Sequence, residues 1–128
     1  LRLKRAHDHY REARRDLDRE SATCPLTGLF GYRYLRETFP RVFAAAEEQR
    51  LPLSCLLVDV DGLRRHNVER GRAFGDSVLV EVASSLRSGV READVVVRYG
   101  PDEFLVLLPE THFGGAMTVA ERVFDDLA

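Results

Sequence analysis

The sequence has little cysteine: two in 128 residues, Cys24 and Cys55, at no metal-ligand spacing. That excludes a disulfide-stapled secreted scaffold and a cysteine-based zinc site, and it makes a reducing cytoplasm the expected compartment. No apolar run is long enough to span a bilayer and no signal-peptide pattern appears, so no membrane contact is expected within these residues. Neither charge sign dominates. A net charge of -2 leaves no global basic field for nucleic acid, although local arginine clusters can still hold phosphates. There is no repeat and no low-complexity tract. The four histidines form no ligand set; His7 and His9, two apart on a predicted helix, face different ways. An initiating Met is also missing, as expected for a fragment of something longer. What is present, 45% hydrophobic and 31% charged residues, fits one domain with one core.

Periodicity divides the chain. Residues 1–22 read as a helix with a thin seam: Leu3, Tyr10 and Leu17 recur every seven residues, with Ala6 and Ala13 between them. Two readings are open, an amphipathic helix packed on the domain or a parallel coiled-coil lead-in from an upstream sensor. Ser21, Thr23, Pro25 and Gly28 break that helix. The next helical stretch carries Leu35, Phe39, Phe43 and Ala46 on one face, with Pro40 expected to kink or divide it. Leu53 to Val60 is an apolar run with the length of a buried central strand, and Cys55 within it is expected in the core. A short polar helix and a better one near 76–86 follow, the second with Val78, Leu79, Val82 and Leu86 as its apolar side. Val95-Val96-Val97 and Phe104-Leu105-Val106-Leu107-Leu108 make a hairpin, and a last helix begins after Thr111. Helix, strand, helix, helix, strand, strand, helix implies a sheet with helices packed on it.

The acidic residues concentrate at strand ends. Asp59 lies where an apolar strand runs into a loop, an address from which side chains open into clefts. Asp59 and Asp61 alternate to opposite sides of the strand. A solvated strand end explains one such aspartate; Asp102 and Glu103 at the hairpin tip weaken that explanation. If the hairpin lies beside the Asp59 strand, Asp59 and Asp102 can converge on Mg²⁺, which is held by one or two carboxylates plus substrate phosphates. The DVDG stretch also resembles the nucleophile motif of haloacid dehalogenase-type phosphatases. That motif needs a hydroxyl residue after the glycine, and Leu63 stands there.

The residues also resemble the GGDEF domain of diguanylate cyclases over nearly all of 24–128, with 1–23 as a preceding linker helix. The pieces occur in that family's order: PLTGL at 25–29, PLSCLLVDVD at 52–61, Asn67 and Gly71, GD at 75–76, READ at 91–94, RYGPDEF at 98–104 and LPET at 108–111. The resemblance implies an α/β (α+β) fold like the palm of polymerases and nucleotidyl cyclases. Its mostly antiparallel central sheet would be flanked by helices, and the family's final strand and helix are missing. It implies condensation of two GTP to cyclic di-GMP and two pyrophosphates between two copies of the domain. Dimerisation would run through the N-terminal helix, face-to-face domains or both, under control of an upstream sensor domain that could attach the full-length protein to a membrane.

By position, Asp59 and Asp102 would hold Mg²⁺ or Mn²⁺, and Asp102 with Glu103 and Asp59 would form the catalytic set. Asn67 and Asp76 would recognise guanine, whose edge suits an amide and a carboxylate. Gly100 and Arg64 would lie near the phosphates. Arg91 and Asp94, with Arg122 joining them, would form the product-binding inhibitory site, where arginine can grip a guanine edge or a phosphate bidentately.

The chain departs from the family's pattern at several positions. Pro101 replaces the second glycine of the signature, removing an N–H and fixing φ; Gly100-Pro101-Asp102-Glu103 is still expected to turn with Pro101 at its second position. Cys24 replaces an acidic residue, Gly31 and Tyr32 replace an Asn-Arg pair, and Val68 and Arg72 replace an acidic residue and a His. An alternative reading is therefore a catalytically degenerate domain that binds cyclic di-GMP or GTP. A ligand-free dimerising piece is a third, and the retained Asp59, Asp102, Arg91 and Asp94 argue against it.

Overall fold

The computed structural model describes residues 22–127, with the side chains of Arg64 and His66 outside the description. The expected helix over 1–23 lies outside the described residues but for its last two positions. From there the elements are α1 (Tyr32–Gln49), β1 (Leu53–Asp59), α2 (Leu63–Arg70), α3 (Arg72–Gly89), β2 (Val95–Gly100), β3 (Glu103–Pro109) and α4 (Phe113–Leu127). This is the predicted element order. The three strands form one antiparallel sheet in the order β1-β3-β2.

β3 is the central strand, and its alternation divides the core. Phe104, Val106 and Leu108 point to one face, where they meet Leu79, Val82 and Leu86 of α3 and Ala116 and Val123 of α4. Leu107 points to the other, where it meets Leu35 of α1 and Val97 of β2. Period-2 alternation across a sheet covered on both faces gives β3 its near-continuous apolar sequence.

Several expectations change. β1 is an edge of the described sheet rather than a central strand: of its apolar residues Leu56 and Val58 pack against the larger core, while Leu57 is 60% exposed. Its apolar run therefore records the face it presents to α1's side, where cover is partial. Cys55 is exposed for the same reason. Pro40 does not divide α1, which runs unbroken past it. Proline deletes the N–H that would bond the Arg36 carbonyl, and both residues lie on the exposed side, where water can satisfy that oxygen. On α1 only Leu35 and Thr38 are buried; Phe39 and Phe43 pack on each other at the surface, ring centroids 5.8 Å apart. The predicted helix at 76–86 extends to Arg72–Gly89, because Gly71, at φ 89°, turns the chain between α2 and α3 without a longer loop.

Candidate functional site at the hairpin tip

The ladder between β1 and β3 places Asp59 opposite Glu103. One residue further, the Val60 N–H donates to the Asp102 carbonyl at 2.9 Å. The end of β1 and the tip of the β2–β3 hairpin thus meet at one end of the sheet, carrying three acidic residues. Asp59 is exposed, Asp102 is half-buried and Glu103 is buried. The Glu103 carboxylate folds over Gly100: a Cβ added at Gly100 would stand 2.7 Å from Glu103 Oε1 and 3.3 Å from Glu103 Cβ. Gly100, expected near phosphates, thus has a packing use that the sequence did not signal. Among the described residues no three His, Cys, Asp or Glu side chains gather as a metal cage.

Pro101 and Asp102 form the two-residue turn of the hairpin. None of Gly100, Pro101 and Asp102 has a positive φ. That rules out the type I′ and II′ turns usual for two-residue hairpins, and type II as well, leaving turns with negative φ at both central residues, a class that accepts proline at its second position. Such a turn splays its strands, and the register irregularity between Arg98 and Gly100 absorbs the difference. The expectation that the chain still turns with Pro101 in place is met.

Arg98, within the RYGPDEF stretch, and Cys24, one of the departures from the family's pattern, have no role assigned by the sequence. The Arg98 guanidinium donates from Nη2 to the Pro101 carbonyl at 2.7 Å and from Nη1 to Cys24 Sγ at 3.3 Å. Burial alone would raise the Cys24 thiol. Hydrogen bonds from the Thr27 side chain, Arg98 and the Thr27 backbone, together with the Arg98 charge, outweigh it and leave the thiol below its ordinary range. Cys55 opens to solvent on one side, yet its apolar surroundings desolvate the thiolate and push its thiol up. As pH rises, Cys24 is expected to become alkylated by iodoacetamide at a lower midpoint than Cys55, read by mass spectrometry of each peptide. A reversed order would contradict the Arg98 contact.

The Asn67 amide lies against Gly75, the residue before Asp76. Asn67 lies near the end of α2, and its carbonyl accepts the Gly71 N–H at 3.0 Å. α3 then doubles back so that Gly75 faces the Asn67 amide. A Cβ at Gly75 would lie 1.7 Å from Asn67 Oδ1, so no side chain fits there while the amide holds its place. Asn67 Oδ1 is buried without a hydrogen-bond partner among the described residues. Leaving such an acceptor unmade costs on the order of 1–3 kcal/mol, so it is suited to a ligand that brings a donor. Asp76, next to Gly75, is half-buried. The Arg64 side chain lies outside the described residues.

Arg91, Asp94 and Arg122 gather beside the C-terminal end of α3. Arg91 grips Asp94 with its backbone N–H (2.8 Å), Nε (3.2 Å) and Nη2 (2.8 Å). Nη2 also reaches the Pro109 carbonyl at 2.7 Å and Thr111 Oγ1 at 3.0 Å. Hydrogen bonding to Asp94, then its charge, raises the Arg91 pKa further above its ordinary value. Arg122 donates to the Gly89 carbonyl at 2.9 Å. The pair stands between two recesses of about 300 and 290 Å³, the first reaching Gly28 and Arg87, the second Thr111 and Arg122. Thr111 was visible in LPET, but nothing in the sequence tied it to Arg91.

Known proteins resemble this chain in sequence and in fold. The family model described as the GGDEF domain of diguanylate cyclases matches residues 21–128. The response regulator PleD of Caulobacter vibrioides is 38% identical over 103 residues, which cover 80% of this chain and 23% of PleD. The isolated GGDEF domain of the Pseudomonas aeruginosa protein TpbB, or YfiN, superposes with a TM-score of 0.77 at 34% identity, covering 81% of this chain and 61% of that one. The GGDEF domain of DgcB from Caulobacter crescentus, solved with c-di-GMP, superposes with a TM-score of 0.78 at 26% identity, covering 80% and 60%. The chain thus spans less than a quarter of its curated relative, and by sequence and by fold it belongs to the GGDEF domain family of diguanylate cyclases.

Proposed function

We propose that this domain condenses two GTP into cyclic di-GMP and two pyrophosphates, in an assembly of two copies that each contribute half of the reaction centre. The observation that carries the reading is the pairing of Asp59 with Glu103 and of Val60 with Asp102, which supports one acidic centre at the end of the sheet. Hard carboxylate oxygens without a complete protein cage suit Mg²⁺ or Mn²⁺, whose shell is completed by phosphates. Asp59 and Asp102 would hold the ion, which supplies charge neutralisation at the transferring phosphate. Asp102, with Glu103 beside it, would accept the proton of the attacking 3′-hydroxyl. Asn67 Oδ1, buried and unmatched, would accept a guanine N–H, and Asp76 would accept a second. Gly100 and Arg64 would border the phosphates. No helix among the described residues is long and apolar enough to cross a membrane. The cytoplasm, which holds GTP, is the compartment we infer, with an upstream sensor domain governing how the two copies meet.

The test is incubation with GTP and Mg²⁺, with cyclic product and pyrophosphate measured together; absence of both rejects the cyclase reading. Gly75→Ala is expected to weaken GTP binding roughly tenfold or more, about 1.4 kcal/mol. The new methyl group displaces the Asn67 amide while the flexible side chain limits the cost to stability. Calorimetry with GTP checks it, and unchanged affinity removes Asn67 from the base site.

A second reading is favoured by the recesses around Arg91: a regulatory module that binds cyclic di-GMP through Arg91, Asp94 and Arg122. Binding there would require the Arg91 fork to turn partly from Asp94 to the dinucleotide. Calorimetry with cyclic di-GMP on wild type and Arg91→Ala separates the readings. Tight, Arg91-dependent binding without turnover supports the module, and turnover with such binding supports a product-inhibited enzyme.

A further inference from the structure

One guanidinium joins the segment that leads into α1 to the acidic tip. The Arg98 backbone N–H donates to the Phe30 carbonyl at 2.8 Å, pinning the segment 22–31 to β2 at Phe30. That segment is folded on itself: the Cys24 N–H donates to the Leu29 carbonyl at 2.6 Å and the Gly28 N–H to the Cys24 carbonyl at 2.8 Å. The Arg98 side chain then spans from Cys24 Sγ to the Pro101 carbonyl. Within the turn, the two successive carbonyls have separate anchors. Asp102 is tied to β1 through Val60, and Pro101 is tied through Arg98 to residues 22–31. Pro101 has no N–H with which to make a third tie.

We propose that Arg98 is a positioning residue: it transmits the placement of residues 22–31 to the Pro101-Asp102 turn and so sets Asp102 and Glu103 against Asp59. Its effect on turnover rests on the cyclase reading, whereas its effect on the tip rests on the geometry alone. Charge-assisted donation to a carbonyl is short and directional, so a change at Cys24 is felt at the tip as a displacement rather than a loss of charge. A displacement near an ångström costs on the order of a hundredfold in rate.

The Val60 amide, bonded to the Asp102 carbonyl, reports the tip directly. In the full chain, Arg98→Met, which keeps an apolar stem and removes the donors, is expected to speed Val60 hydrogen exchange by about tenfold or more. The amides of Val106 and Leu108 in the central strand should be unchanged. The same variant should lower kcat by about ten- to a hundredfold with KM for GTP within about twofold. Arg98→Lys should recover part of both. Cys24→Val should move Val60 in the same direction by less, and Cys24→Asp, a stronger acceptor for the same guanidinium, should return it towards wild type. Wild-type exchange at Val60 in Arg98→Met overturns the proposal, as does an equal loss of protection at Val106. If Arg98→Met fails to fold, the two Cys24 variants decide it by the same amide. A Val60 response in a protein that makes no cyclic product rejects the cyclase reading and leaves the positioning role standing.

Discussion

Asp102→Asn is expected to lower GTP condensation by about a thousandfold while leaving the chain folded. The substitution keeps the side chain's size and alters only its charge and its value as an oxygen ligand. The hairpin does not depend on that carboxylate: the tie to β1 runs from the Val60 N–H to the Asp102 backbone carbonyl. The side chain is half-buried, so an amide can be solvated where the carboxylate stood. What disappears is the hard anionic ligand for a divalent ion and the acceptor for the hydroxyl proton, two roles the proposed reaction needs at once. Losing one preorganised electrostatic contact of this kind typically costs up to about 10³-fold, near 4 kcal/mol of transition-state stabilisation. Pyrophosphate release under saturating GTP and Mg²⁺ measures it, with the thermal midpoint and Val60 amide protection as controls. A variant that kept a tenth of wild-type turnover with both controls unchanged would remove Asp102 from the chemistry.

Glu103→Gln provides the contrast. Glu103 is buried and lies over Gly100, so its exchange, although it keeps the side chain's size, alters the charge and hydrogen bonding of a buried group and with them the stability of the tip. Its urea midpoint, read beside its turnover, separates lost stability from lost chemistry.

Local pattern made much of this molecule legible. The hairpin was readable because β3 alternates between two apolar faces and its turn carries Gly and Pro between strand residues. The order of elements followed from the same periodicities, and the acidic residues at 59, 102 and 103 stood out because each sits where an apolar run stops. The failures have one cause, that cover comes from elsewhere in the chain. β1 reads as a central strand, and Cys55 as a core residue, because an apolar run does not say how many neighbours a strand has. Pro40 reads as a break because its cost is local, whereas the packing of Leu35 on Val97 and Leu107 that holds α1 in place is distant. The Arg98–Cys24 contact joins residues 74 apart, and no spacing rule reaches that far. Asn67 and Gly75 are close in sequence, but their contact depends on how α3 doubles back at Gly71, which only the backbone shows.

Phe104→Ala is expected to be the most destabilising single core change, costing about 3–5 kcal/mol. Phe104 is fully buried, directly follows the acidic pair and lies opposite Val58 on β1 and next to Arg98 on β2. It belongs to the larger core cluster, which α3 and α4 cover. Those helices are themselves fixed against each other: Gly89 meets Val123 so closely that a Cβ there would stand 2.9 Å from Val123 Cγ2. Walls held in that way relax little, so the space left by the ring stays largely open and the cavity cost adds to the lost transfer energy. Leu107→Ala makes the comparison. Leu107 is equally buried, but among the described residues its cluster contains only Leu35 and Val97 as buried partners. It borders an open recess of about 390 Å³ lined by Tyr32, Phe39, Tyr99 and Leu105. Exposed side chains at that rim can settle into the gap, so its cost should fall near the lower end of the range for leucine, about 2 kcal/mol. Urea unfolding of both variants, with unchanged slope and shifted midpoint, measures the difference. A cost for Leu107→Ala equal to or above that for Phe104→Ala would mean that the α1 face is closed more tightly than its exposed aromatic residues indicate.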